Sequence, residues 1–107
     1  MHLYTETRRI AADALEKFNC ESPNIEECKN YVWEVCDSHE VSSDYGKAIE
    51  FCAEQNTYEG EEWLEDCGEI AQAGDAFGAI ACRVAFATLY CAAMGALHEL
   101  VAERIVL

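Results

Sequence analysis

The sequence predicts an all-α protein: a compact bundle of four to five helices with a long apolar C-terminal helix. Three observations predict it. Apolar residues recur at three- and four-residue spacing along most of the chain, as on one face of a 3.6-residue helix. Breakers are few, with Pro23 the only proline and six glycines. And 51% of the 107 residues are hydrophobic, enough for one core. The length fits a single helical domain over 1–107.

The first helix is predicted over Thr5–Asn19, where Ile10, Ala11, Ala14, Leu15 and Phe18 make an apolar stripe. The second begins near Ser22–Pro23–Asn24. Proline is tolerated at a helix start, and Asn24 with Glu27 has capping-box spacing. Ile25, Cys28, Val32, Val35, Cys36 and His39 then share one face, and Glu26, Glu27, Glu34, Asp37 and Glu40 fall on the other. Val41–Ser43 reads as a short connection, with Ser43 or Asp44 capping a third helix whose stripe is Tyr45, Ala48, Ile49, Cys52 and Ala53. Gln55–Gly60 reads as a loop. A shorter fourth helix covers Glu61–Ala73, with Gly74 ending it and Asp75 capping the next.

The last helix is the longest and most apolar. Phe77, Ile80, Val84, Ala87, Cys91, Met94, His98, Val101 and Ile105 follow a strict 3-4 spacing, the heptad seam of near-parallel helix packing. A second stripe holds Phe86, Tyr90, Ala93, Leu97 and Leu100. Two apolar faces predict a central or dimerising helix covered on both sides, with His98 packed on the seam. Ala76–His98 is about long enough to cross a membrane. Arg83 near its middle, its richness in Ala, Gly and Cys, and the lack of flanking basic residues point instead to a buried helix and no membrane. The apolar ending Arg104–Leu107 either folds back on the core or docks on a second copy, and a homodimer is expected.

Net charge is −14, from 21 Asp/Glu against seven Lys/Arg. Such a field repels nucleic acid and anionic membranes and suits basic partners. The seven cysteines show no CxxC pair, and each occupies an apolar or semi-apolar slot. Met1–Asp13 is polar and charged rather than signal-like. Reduced thiols in a cytoplasmic protein are the expectation.

The acids are concentrated in Tyr58–Glu69, YEGEEWLEDCGE. Wound as a helix, Glu65, Glu69, Glu62 and Asp66 lie about 40°, 80°, 100° and 140° from Glu61. Trp63, Leu64, Cys67 and Ile70 occupy the other side. Between Lys47 and Arg83 there is no basic residue, while Glu50, Glu54, Glu59, Glu61, Glu62, Glu65, Asp66, Glu69 and Asp75 fall in that span. Like charges one helical turn apart destabilise a helix, so a chain shaped by stability alone would carry lysines here. Carboxylates spaced about 5–6 Å apart on a helix can imitate a row of phosphates and compete for the Lys/Arg contacts through which proteins hold nucleic acid. Glu50, Glu54, Glu59, Glu61, Glu62, Glu65, Asp66 and Glu69 are therefore the candidate partner-binding residues. The plainer alternative is a solvated face that aids solubility.

A small, acidic, mostly helical chain of this kind resembles the DNA-mimic inhibitors of phages and mobile elements, the anti-restriction and anti-CRISPR proteins. The stretches VWEVCDSHEV, YGKAIEFC and GEEWLEDCGE also look like small phage-encoded proteins. The resemblance implies a stoichiometric inhibitor that blocks a basic nucleic-acid-binding protein or complex of a bacterial host, acting in the host cytoplasm without touching nucleic acid itself. It transfers no catalytic residue. The alternative class is a helical adaptor that oligomerises through its apolar terminal helix.

Chemistry is not expected. Cys36, Asp37, His39 and Glu40, with Cys52, have metal-ligand side chains but lack the short paired spacings of a structural zinc site. A Cys–His pair drawn from Cys36, Cys52 or Cys91 with His39 or His98 lacks the electropositive setting that makes a thiolate. Glycine-rich phosphate loops, HExxH and GxSxG are absent. The acids lie in helices rather than in a calcium loop. No enzyme activity, metal or cofactor is predicted. Tyr31, Trp33, Tyr58 and Trp63 border the stripes as interface anchors or core-boundary residues.

Overall fold

The structure, a computed structural model, describes residues 2–18, 24–55 and 76–105. Among the described residues it is all-α, with five helices and no strand: α1 Leu3–Phe18, α2 Ile25–Ser38, α3 Glu40–Ser43, α4 Tyr45–Gln55 and α5 Ala76–Ile105. The segment after Gln55, including the helix predicted over Glu61–Ala73, lies outside the described residues. The chain divides into two compact units, Met1–Asp37 with Thr88–Leu107, and Ser38–Ala87.

In the first unit α1 buries Ile10, Ala11, Ala14 and Leu15, the stripe its spacing predicts. Thr7 is buried with them, and its hydroxyl donates to the Leu3 carbonyl at 2.7 Å, so no polar group is stranded. α2 buries Cys28, Val32 and Cys36, again the predicted positions. The Phe18 and Tyr31 rings join α1 to α2 edge to face, with centroids 5.8 Å apart. The second half of α5 contributes Leu89, Ala93, Ala96 and Leu97. Burying each leucine or isoleucine of this set contributes about 1.5–3 kcal/mol.

In the second unit α2 does not run on through His39 as the spacing suggested. His39 is extended (φ −62°, ψ 146°) and caps α3, its Nδ1 accepting from the Val41 amide at 3.2 Å. The imidazole supplies the short-range acceptor that Ser, Asp or Asn usually supplies at a helix start. The predicted connection Val41–Ser43 is thus one turn of helix. Asp44 caps α4, its Oδ1 accepting from the Lys47 amide at 2.9 Å. α4 buries Ala48, Phe51 and Cys52. Phe51 stands in the core where Ile49 was expected, and Tyr45 is largely exposed. The Cys52 thiol donates to the Ala81 carbonyl of α5 at 3.5 Å. A β-carbon added at Gly78 would lie 2.6 Å from Tyr45 Cβ and closer still to its ring. The absent side chain is what lets α4 and α5 meet there.

The covered side of α5 differs from the expectation. Its buried residues are Ala81, Ala85, Leu89, Ala93, Ala96 and Leu97. On the heptad line Ala87, Cys91 and His98 are exposed, and Ile80, Met94 and Val101 are half-exposed. His98 is therefore not packed. The reason is geometric: alanines allow neighbouring helices to approach closely, so the small-residue face takes the inside and the bulkier seam turns out. By length and composition Gly78–Arg104 could cross a membrane, with mean hydropathy 1.7, and 39% of that stretch is buried within the protein.

The cysteines require a second correction. Cys28 is disulfide-bonded, whereas Cys36, Cys52, Cys82 and Cys91 are free. As a half-cystine it has no proton to give, and its 3.4 Å approach to the Ala14 carbonyl is packing alone. Disulfides belong to oxidising compartments more than to the cytosol, so the cysteines no longer argue for a cytoplasmic protein. Burial pushes the Cys36 thiol up to about 12, with the Glu6 charge adding to it, and burial raises Cys52 as well.

Two measurements follow from this packing. Gly78→Ala is expected to destabilise by about 1–3 kcal/mol through overpacking. Gly95→Ala, where an added β-carbon meets nothing within 4 Å, is expected to stabilise by about 0.5–1 kcal/mol through helix propensity. Urea unfolding of the two variants at low protein concentration reads both signs. Thiol titration in denaturant without reductant should find two fewer thiols than after reduction. In the native protein Cys91 should be labelled first and Cys36 and Cys52 last, and equal labelling rates at all three would contradict the burial described.

Candidate partner-binding surface

The acidic surface is built from helix periodicity. On α2, Asp37, Glu34 and Glu27 lie about 20°, 80° and 100° from Glu26, and all four are exposed. They sit opposite the buried Cys28, Val32 and Cys36 because both sets repeat at helical spacing. Trp33 borders the stripe one turn before Asp37 and is 46% exposed. Tryptophan is among the side chains that most often anchor protein interfaces. The sequence had put these acids on the polar face of the second helix without including them in the candidate site. Their repeat at one-turn spacing, with a tryptophan on the border, was the available signal.

Of the predicted site residues, Glu50 and Glu54 are exposed on α4, one turn apart. Glu59, Glu61, Glu62, Glu65, Asp66 and Glu69 lie outside the described residues. The α2 stripe belongs to the first unit and the α4 pair to the second.

Several of the bases are engaged on other helices. Arg8 reaches from α1 to Glu103 at 3.1 Å and Glu99 at 3.5 Å on α5. Its guanidinium is held above its ordinary range, first by the hydrogen bond to Glu103 and then by the Tyr4 hydroxyl. Arg9 pairs with Glu6 and, at 2.9 Å, with Asp13 within α1. Lys17 stands 5.0 Å from the Tyr31 ring centre as a cation–π contact. Lys47 bonds Glu40 at 2.8 Å. That bond lowers the Glu40 carboxyl and raises the Lys47 ammonium, each mainly through the hydrogen bond itself. Lys29 meets the α2 stripe, 3.7 Å from Glu26.

Among the described residues no three His, Cys, Asp or Glu side chains are placed to share a metal ion. A recess of about 180 Å³ in the first unit is lined by Leu3, Tyr4, Thr7, Ala92, Ala96 and Glu99. It falls below the ~300–1,000 Å³ of ordinary small-molecule sites. What the described surface offers is extended and electrostatic: carboxylates at one-turn spacing on helices, edged by an aromatic side chain. Comparison with protein-family models, with characterised proteins and with solved structures finds no match.

Proposed function

We propose that the protein is a stoichiometric inhibitor whose acidic helical faces occupy a basic nucleic-acid-binding surface on a partner, a bacterial defence complex being the expected class. One observation carries the reading. The chain has 21 acids against seven bases, and Arg8, Arg9 and Lys47 pair with acids on helices other than α2. The exposed carboxylates of α2 and α4 belong to a chain with three acids for every base. On a helix, such carboxylates recur about every 5–6 Å. A groove lined by Lys and Arg that evolved to hold phosphates would meet this surface with the same contacts. Inhibition is competition: the partner's basic groove is filled, nucleic acid is kept out, and nothing is cleaved or modified. The inhibitor works where the defence complex works, in the host cytoplasm, with the Cys28 disulfide outside the mechanism.

The reading predicts strong salt dependence. Binding to the target should weaken on the order of a hundredfold or more between about 50 mM and about 500 mM salt. Glu61→Lys with Glu65→Lys, and separately Glu34→Lys with Asp37→Lys, should each weaken it at least tenfold while leaving the helical circular dichroism intact. The measurement is capture from a bacterial lysate at the two salt concentrations, followed by displacement of nucleic acid from the purified captured complex. Capture that survives both charge reversals and high salt would sink the mimic reading.

A further inference from the structure

We infer that the recess between the start of α1 and the second half of α5 seats one lysine side chain of a protein partner, its stem on apolar side chains and its ammonium on Glu99. The recess lies wholly within the first unit. It encloses about 180 Å³ and is lined by Leu3, Tyr4, Thr7, Ala92, Ala96 and Glu99. Alanines at 92 and 96, one turn apart on α5, leave the space open where longer side chains would fill it. Thr7 is buried, and its hydroxyl is already engaged by the Leu3 carbonyl at 2.7 Å. Of the lining residues Glu99 alone carries a charge.

Size, charge and the aromatic wall identify the occupant. At ~30 Å³ for each water-sized group, the recess holds about six such groups. That suits the four-carbon stem and ammonium of one lysine better than a larger ligand. The nearest base, Arg8, stands against both Glu99 and Glu103, which leaves one negative charge. Its guanidinium donates to both Glu103 oxygens, at 3.1 and 3.3 Å, and stays 3.5 Å from Glu99. Among the described residues the Glu99 carboxylate accepts no hydrogen bond, so it keeps acceptor capacity for a second cation. The Tyr4 ring is exposed, but Arg8 already stands 6.0 Å from its centre. The stacking position that a guanidinium prefers is therefore taken, and a compact ammonium is favoured over arginine. An anion fits less well. No base lines the recess, the Thr5 and Glu6 amides at the start of α1 are engaged by His2, and Glu99 repels negative charge. A free polyamine also fits less well, because its second ammonium finds no second carboxylate on the wall.

The stem of the lysine lies along Leu3, Ala92 and Ala96, as amphipathic side chains do on apolar surface. Its ammonium stays at the mouth, where the Glu99 side chain is 63% exposed. An ion pair that exposed to water adds selectivity of a few fold. This inference does not rest on the acidic-surface reading: the α2 and α4 carboxylates take no part in it, and it is read on the chain alone, without a partner.

The test is an NMR titration of the full chain, labelled at its alanine methyls, with n-butylammonium chloride, n-butanol and sodium butyrate, each to about 100 mM at matched ionic strength. Expected is a saturable shift of the Ala92 and Ala96 methyl signals with butylammonium, at a dissociation constant about threefold to fivefold below that for butanol. Butyrate should give no saturable shift. Glu99→Gln should bring the butylammonium and butanol constants together, and Ala92→Leu should abolish the Ala96 shift with both. If either variant does not fold, the wild-type ranking of the three probes decides alone. Nα-acetyl-lysine methylamide should bind at least as tightly as butylammonium. The inference is overturned by the absence of a saturable shift with butylammonium, or by butanol or butyrate binding as tightly. It is also overturned by an ammonium preference that survives Glu99→Gln. Putrescine binding about tenfold tighter than the lysine amide overturns it too, and makes a free polyamine the occupant.

Discussion

A helix buries only as much of its circumference as its neighbours can reach, and α5 imposes that constraint on everything around it. Its inner side is lined by Ala81, Ala85, Ala93 and Ala96, with leucines at 89 and 97. Small side chains let axes approach towards the ~8 Å end of helix packing, where dispersion contacts are dense. At Gly78 the approach to α4 is close enough that even a methyl group would strike Tyr45. The same closeness sets how α1 is held: Arg8 reaches Glu99 and Glu103 across the α1–α5 contact. An alanine-rich inner side commits the larger residues of the 3-4 line to the outside, so the exposed face of α5 is the direct consequence of how its inner face packs.

The acids obey a complementary rule. A chain of net −14 stores self-repulsion that is least costly where carboxylates stay in high dielectric. The carboxylates of α2 and α4 are exposed accordingly. α1 and α3 use their acids differently, binding Arg9 and Lys47 locally. These pairs hold Arg9 within α1 and tie Lys47 of α4 to α3, while Lys29 stands beside the α2 stripe.

Much of this was legible in the sequence wherever one periodicity acted alone. Ile10, Ala11, Ala14 and Leu15 on α1, and Cys28, Val32 and Cys36 on α2, are buried as their spacing requires, because each helix has one apolar face and no rival. Asp44 was legible as a cap from its chemistry. α5 was not, because two apolar stripes compete for the inside and the choice depends on side-chain volume and partner shape, which spacing does not encode. His39 was misplaced for a related reason: its apolar position in the repeat concealed an acceptor nitrogen that starts a new turn. The disulfide at Cys28 was illegible because a cysteine packs like a small hydrophobe whether free or bonded. For the acidic surface, composition gave its sign and helix spacing its geometry on α2, while the exposure of Trp33 beside it is visible only in the structure.

The two exposed surfaces are governed by opposite physics, and that makes them separable. The fields of the carboxylate faces are screened by salt over about 8–10 Å. Apolar contacts such as those that α5 makes are left intact or strengthened by salt. Their segregation follows from the sequence: the 30 residues of α5 contain two acids and two bases, while the remaining acids lie elsewhere in the chain. Had the acids been spread evenly, α5 could not pack against its own chain without burying like charges. α1 is neutral as well, with three acids and three bases, so 16 of the 21 acids and only two of the seven bases lie outside these two helices. The acidic excess of the chain is therefore carried by the segments between them.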